Sequence, residues 1–205
     1  MVYWDKASNI RMTQETFMRK SKIIFSFNAP FILLFTILSL IALGLNFLTS
    51  GASTTLVFSV YRSSFLNPLT YVRLLCHIMG HTSFTHLVGN LALILALGPI
   101  VEERYGSGRL MLMFAVTAIV SGLFHIFFGG SARLLGASGI VYMLIFLAST
   151  SGAKGGEIPL TLVAVAILYL TQEILGGLFT VSDVSHLTHI VGGICGAVMG
   201  LFFRR

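Results

Sequence analysis

The chain has 205 residues, of which 56% are hydrophobic and only 10% charged, with a mean hydropathy of +0.92. A soluble domain of this size needs more charge to cover its surface, so the composition excludes that class and describes a polytopic membrane protein. The net charge of +6 does not imply nucleic-acid binding, because the cations sit in short clusters beside apolar runs, which is a topology signal.

Residues 1–28 are polar and basic, carrying Lys6, Arg11, Arg19, Lys20 and Lys22. They are expected to form a cytoplasmic segment able to lie on the membrane surface. Residues 29–205 are expected to form one transmembrane domain. The first apolar span is 29–48, long enough to cross a bilayer. Small residues at 49–53 would also suit a signal-peptide cleavage site, but the long polar leader and long apolar run favour an uncleaved anchor. Residues 49–80 are too broken for a span and read as a loop with short interfacial helices. A second span covers 82–101 and closes in the polar turn 102–109. A third covers 110–128. The glycine-rich connector Gly129–Ala137 leads to a fourth at about 138–152. A short turn around Lys154 precedes a fifth at 158–178. A polar loop precedes a sixth at 186–203. The two cysteines, Cys76 and Cys195, match no metal or disulfide pattern and read as packing residues.

Six spans put both termini on one side. With the N-terminus inside, ten of the thirteen Lys and Arg fall inside and three, Arg62, Arg73 and Arg133, fall outside. This bias predicts cytoplasmic termini and a multi-pass protein of the bacterial inner membrane. The second, fourth and sixth spans then run from outside to inside, so residues near their starts share one depth. The connector before the fourth span must dip inward as a re-entrant loop, because Ser138 lies below the outer surface.

Polar side chains inside a bilayer usually face the bundle interior. Ser138 lies among small residues, Gly136, Ala137 and Gly139, at the start of the fourth span. The first turn of a helix offers free N–H groups and a positive dipole end, which suits a developing oxyanion. Tyr142 follows one turn later. His86 and Asn90 share a face of the second span. His189 enters the sixth span just before Gly192, Gly196 and Gly200, whose spacing flattens one helix face for close packing against the Ser138 helix. Together these residues permit a nucleophile–base pair, with His189 taking the Ser138 proton. Ser138 N–H, His86 and Asn90 could hold the oxyanion, and Tyr142 could orient His189 by stacking, as a dyad rather than a triad.

With these motifs the chain resembles the rhomboid intramembrane serine proteases in their basic six-helix form. The matching pieces are Gly136-Ala137-Ser138-Gly139, His86-x-x-x-Asn90, His189 followed by Gly192, Tyr142, the Val72-Arg73 pair and the turn beginning Glu102-Glu103-Arg104. The resemblance implies Ser138 as nucleophile and His189 as base. It implies an oxyanion and substrate site at His86, Asn90, Gly136 and Ala137, and a tyrosine packed on the catalytic histidine. Arg73, His81 and Glu102 match structural positions. It implies cleavage of transmembrane proteins near the membrane face, with no metal or other cofactor. Val72 and Leu135 depart from the residues common at those positions, and neither removes a catalytic group.

Competing readings are weaker. His186 is a rival base but lies on a neighbouring face. A metallohydrolase is disfavoured because His81 and His86 are five apart with no HExxH pattern. A non-catalytic binder of transmembrane segments would be expected to lack Ser138 or His189. A transporter would show a duplicated pair of broken spans. His77 fits a loop network, His125 a packed interior, and Glu173 a solvated helix end.

Overall fold

The computed structural model describes residues 28–129, 131–150, 158–179 and 183–203. The basic leader, the turn around Lys154, the loop at 180–182, the side chains of Gln172 and Glu173, and Arg204–Arg205 lie outside the described residues. Eight α-helices follow one another among the described residues. They are α1 (Pro30–Leu48), α2 (Ala52–Leu56), α3 (Pro68–Cys76), α4 (Phe84–Tyr105), α5 (Ser107–Phe128), α6 (Ser138–Thr150), α7 (Leu160–Phe179) and α8 (Asp183–Phe202). A 3-10 turn, His77–Met79, links α3 to the approach of α4. α1, α4 and α5 are each long and apolar enough to cross a membrane, and α6 and the 186–202 stretch of α8 are shorter apolar helices.

α1 begins with Pro30 at its first position, where a missing N–H breaks no helical bond. The free N–H groups of Phe31 and Ile32 donate instead to the Glu102 carboxylate, at 2.9 and 3.0 Å. Ser107 Oγ donates to the same carboxylate at 2.6 Å. A negative charge at a helix N-terminus also gains from the helix dipole. Glu102 therefore ties α1 to the junction of α4 and α5. This corrects one sequence expectation. Residues 102–105 are not a turn but the last turn of α4, and the break falls on Gly106, whose φ of +81° suits glycine. Continuing the helix keeps the backbone bonded while carrying Glu102 beneath α1.

α6 is the central element. Ile140, Val141, Met143, Leu144, Ile145, Phe146 and Leu147 are all buried. A helix apolar on every side belongs in the interior. Its most extensive packing is against α8. A Cβ at Gly192 would run into the Gly139 carbonyl, and one at Gly196 into that of Met143. The predicted glycine face is thus a backbone-to-backbone contact, which brings α8 closer than ordinary side chains allow. α1 packs at the periphery, with Phe31 and Phe35 edge-on to Phe114 at 4.9 and 5.1 Å. Its Leu34, Ile37 and Ile41 are exposed, as a lipid-facing surface requires.

Between α1 and α4 the chain forms the expected loop with short helices. Arg73 is buried there. Its Nε donates to the Leu56 carbonyl at 2.9 Å, and its guanidinium lies 4.5 Å from the Tyr61 ring centroid. Val60 pairs antiparallel with Leu134 through two 2.9 Å bonds, joining this loop to the segment that leads into α6.

Candidate active site

Ser138 is the first residue of α6, so its N–H has no acceptor within the helix. The turn before it is fixed by backbone bonds. Gly136 N–H donates to the His77 carbonyl at 3.0 Å, and Val141 N–H to the Ala137 carbonyl at 2.9 Å. Gly136 has φ +113°, and a Cβ there would lie 2.8 Å from His86 Cε1 and 2.9 Å from His86 Nε2. Conformation and space both require glycine at this position. Ala137 is fully buried beside it.

His189 Nε2 lies 2.9 Å from Ser138 Oγ. The Tyr142 ring stacks on the His189 imidazole at 4.7 Å between centroids, with the planes 9° apart. Two features of the chain produce this meeting. Tyr142 is one turn along α6 from Ser138, and Gly192 is one turn along α8 from His189. The close contact of Gly192 with Gly139 sets α8 near enough for the imidazole to reach the hydroxyl. His186 packs edge-on against His189, 6.2 Å away. Of the two histidines, His189 is the one placed on Ser138.

α4 supplies the opposite wall. Ser83 Oγ caps the helix by accepting the His86 N–H at 3.2 Å. Asn90 Nδ2 lies 3.0 Å from His81 Nε2, and His81 Nδ1 lies 3.1 Å from the Met79 carbonyl. An amide nitrogen can only donate, so His81 accepts at Nε2 and carries its proton on Nδ1. Burial pushes the His81 pKa down to about 4, in keeping with a neutral ring whose second nitrogen is already accepting. His86 packs edge-on to His81 at 4.9 Å. Both His86 and Asn90 face the position that a Gly136 side chain would occupy.

His77, also pushed by burial down to about 4, shares its Nδ1 proton between the Arg73 and Leu74 carbonyls at 3.1 Å each. His125 is buried in α5 and its Nε2 is 3.0 Å from the Ala132 carbonyl. The connector is thus held near both ends by histidine residues, through the His77 carbonyl and the His125 ring. Sequence reasoning saw these histidines but not their hold on the connector, since one bond is made by backbone. Tyr61, which receives two arginine guanidiniums, carried no motif signal at all.

The structure therefore gathers Ser138, His189, Tyr142, Gly136, Ala137, Gly139, Gly192, His86, Asn90 and His81 at one end of the bundle. Arg73 supports the adjoining loop. Glu102 is three turns beyond Asn90 on α4, about 18 Å away along the axis. A hydroxyl 2.9 Å from an imidazole nitrogen is within reach of proton transfer.

These features define an integral membrane helix bundle whose polar side chains converge on a serine–histidine pair. Residues 68–205 match the Rhomboid domain family, and the chain belongs to that family. It is similar to the rhomboid protease GlpG of Serratia proteamaculans (strain 568), 30% identical over 135 residues, covering 65% of this chain and 48% of the relative. It is equally similar to the rhomboid protease GlpG of Yersinia pestis (strain Pestoides F), 30% identical over 139 residues with 65% and 48% covered. The chain spans about half the length of the curated relatives it matches.

Proposed function

We propose that the protein is an intramembrane serine endopeptidase that cleaves transmembrane substrate proteins near the outer face of the membrane through a Ser138–His189 dyad. The observation that carries this reading is the 2.9 Å approach of His189 Nε2 to Ser138 Oγ beneath a stacked Tyr142. Ser138 Oγ attacks the scissile carbonyl while His189 takes its proton, then returns it to the leaving amine. Water hydrolyses the acyl-enzyme by the same proton path. The tetrahedral oxygen is held by Ser138 N–H, by His86 and by the second Nδ2 hydrogen of Asn90, which the His81 bond leaves over.

In this reading α1, α4, α5, α6, α7 and α8 all cross the bilayer, with both termini in the cytoplasm of a bacterial cell. Among the described residues α6 has 13, about 20 Å of helix against a core of about 30 Å. The connector therefore dips below the membrane surface at its Ser138 end, where Gly136 and Ala137 are buried, while Ser131, Ala132 and Arg133 stay exposed. A substrate helix must unwind locally before its carbonyl can be attacked, since helical backbone is committed to its own bonds. Glycine near the scissile bond is expected to speed cleavage, and equal rates for matched alanine-rich and glycine-containing substrates would count against this.

The direct test is fluorophosphonate labelling of detergent-purified protein, comparing the wild type with Ser138→Ala and His189→Ala. An adduct on the wild type that both variants lose is the expected result. Folded protein that neither labels nor cuts a reporter transmembrane substrate would replace the protease with a non-catalytic binder of transmembrane segments.

A further inference from the structure

We propose that the cavity lined by Tyr61, Arg62, Ser131 and Arg133 binds the phosphate group of a bilayer phospholipid. It has a volume of about 580 Å³ and lies where the α1–α4 loop meets the segment leading into α6. The proposal does not depend on the chemistry of Ser138.

Charge is the first argument. No Asp or Glu occurs between Thr49 and Val101, nor between Leu110 and Gly156. The segments that build the cavity thus supply arginines and no carboxylate to neutralise them. Arg73 is buried and committed to the Leu56 carbonyl and the Tyr61 ring. Arg62 and Arg133 are exposed.

Pre-organisation is the second argument. Arg133 Nη1 donates to Thr55 Oγ1 at 2.8 Å, and its guanidinium lies 5.6 Å from the Tyr61 ring centroid. One of its five N–H groups is used to fix the fork, and the others remain for a ligand. A guanidinium fork matches the spacing of phosphate oxygens, and the Ser131 hydroxyl adds a donor on the same wall.

The surroundings identify the source of the phosphate. Phe65, three residues after Arg62, packs against Phe127 at 6.2 Å. Phe127 and Phe128, just before the Ser131 wall, are 65% and 67% exposed, and Leu66 is 94% exposed. Both segments lining the cavity therefore carry exposed apolar side chains within five residues of their arginine. That is the profile of a headgroup with its acyl chains, and a free anion would have no use for the apolar part. A lipid bound here bridges Tyr61–Arg62 to Ser131–Arg133, reinforcing the Val60–Leu134 pairing two residues before Gly136.

The test is native mass spectrometry of the full chain released from detergent, titrated separately with phosphatidylglycerol, dioleoylglycerol and inorganic phosphate. The wild type is expected to hold one more phosphatidylglycerol than Arg62→Gln/Arg133→Gln. Arg62→Gln alone, which alters only an exposed side chain, is expected to weaken that lipid about fivefold, and the pair about 25-fold. Arg133→Lys keeps the cation and is expected to keep the lipid at reduced affinity, separating charge from the Thr55 bond. Equal lipid counts in the wild type and double variant overturn the site. So does dioleoylglycerol binding as tightly as phosphatidylglycerol. Inorganic phosphate displacing the lipid at matched concentration would assign the cavity to a free anion and overturn the lipid.

Discussion

The two ends of α4 handle buried polarity in opposite ways. At the Glu102 end one carboxylate accepts from Phe31 N–H, Ile32 N–H and Ser107 Oγ. At the His86 end, Asn90 gives one amide hydrogen to His81, and across the bundle Ser138 Oγ meets His189 in a contact through which a proton can move. Both ends bury polar groups that a membrane interior penalises. At the first end both Glu102 oxygens are engaged, although the buried Tyr105 hydroxyl nearby has no partner among the described residues, and the carboxylate holds α1 in place. The second keeps donors in hand, which is what a site that binds a developing charge requires. Neither burial nor an unmet polar group alone separates the two ends, since Tyr105 also buries a hydroxyl without a partner among the described residues; in the proposed reading the difference is donors converging on one point.

The comparison breaks most visibly if the two ends are exchanged by mutation. Ser138→Ala and His189→Ala are expected to lower cleavage of a reporter substrate by about 10⁴-fold or more. Their thermal unfolding midpoints should stay near that of the wild type. Glu102→Ala is expected to do the reverse. It strands two backbone N–H groups and a serine hydroxyl beside α1, a loss of about 2–4 kcal/mol, while the folded fraction cuts at nearly the wild-type rate. A Glu102→Ala protein of normal stability and no activity would put Glu102 in the chemistry and dissolve the distinction.

Gly192→Ala sharpens it, because that position belongs to packing and to the site at once. The added methyl meets the Gly139 backbone, which cannot rotate away, so α8 must move off α6. A displacement of about 1 Å at His189, one turn away, is expected to reduce cleavage about 100-fold. Gly89→Ala is the control. It has open space at its Cβ and should leave the rate within about twofold, since alanine is the better helix former. Equal effects at the two positions would mean that the glycine face does not set the approach of His189.

How much of this the sequence disclosed follows from the range of each interaction. The apolar runs locate α1, α5, α6 and α8 because length and hydropathy are local properties. Ser138 with Tyr142, and His86 with Asn90, are legible because helical spacing alone puts each pair on one face. The Gly192 contact was readable as a small-residue stripe, since that pattern has few other causes in a membrane helix. The end of α4 was misplaced because charge at 102–105 resembles a turn, and only the distant N–H groups of Phe31 and Ile32 explain why Glu102 stays helical and buried. The Val60–Leu134 pairing and the bond from Gly136 to the His77 carbonyl were invisible, because backbone groups are identical in every residue.

The smallest effect concerns the shell that supports the site. His81 and His77 have folded pKa values of about 4 against an ordinary 6.5. Below the ordinary value an unfolded chain takes up protons that the folded one refuses, so each ring stabilises the fold above about pH 6.5. That stability is lost as pH falls from 6.5 toward 4. A protonated His81 would also turn an N–H toward the Asn90 amide and break the 3.0 Å bond between them. The unfolding midpoint is therefore expected to be level above pH 7 and to fall between pH 6.5 and 4. His81→Gln cannot titrate but can still accept from Asn90, so it should show a shallower decline over that interval, with a somewhat lower midpoint at neutral pH. Parallel curves for the two proteins would mean that His81 is not held neutral by its burial, and that the Asn90 side of the site is wetter than its packing implies.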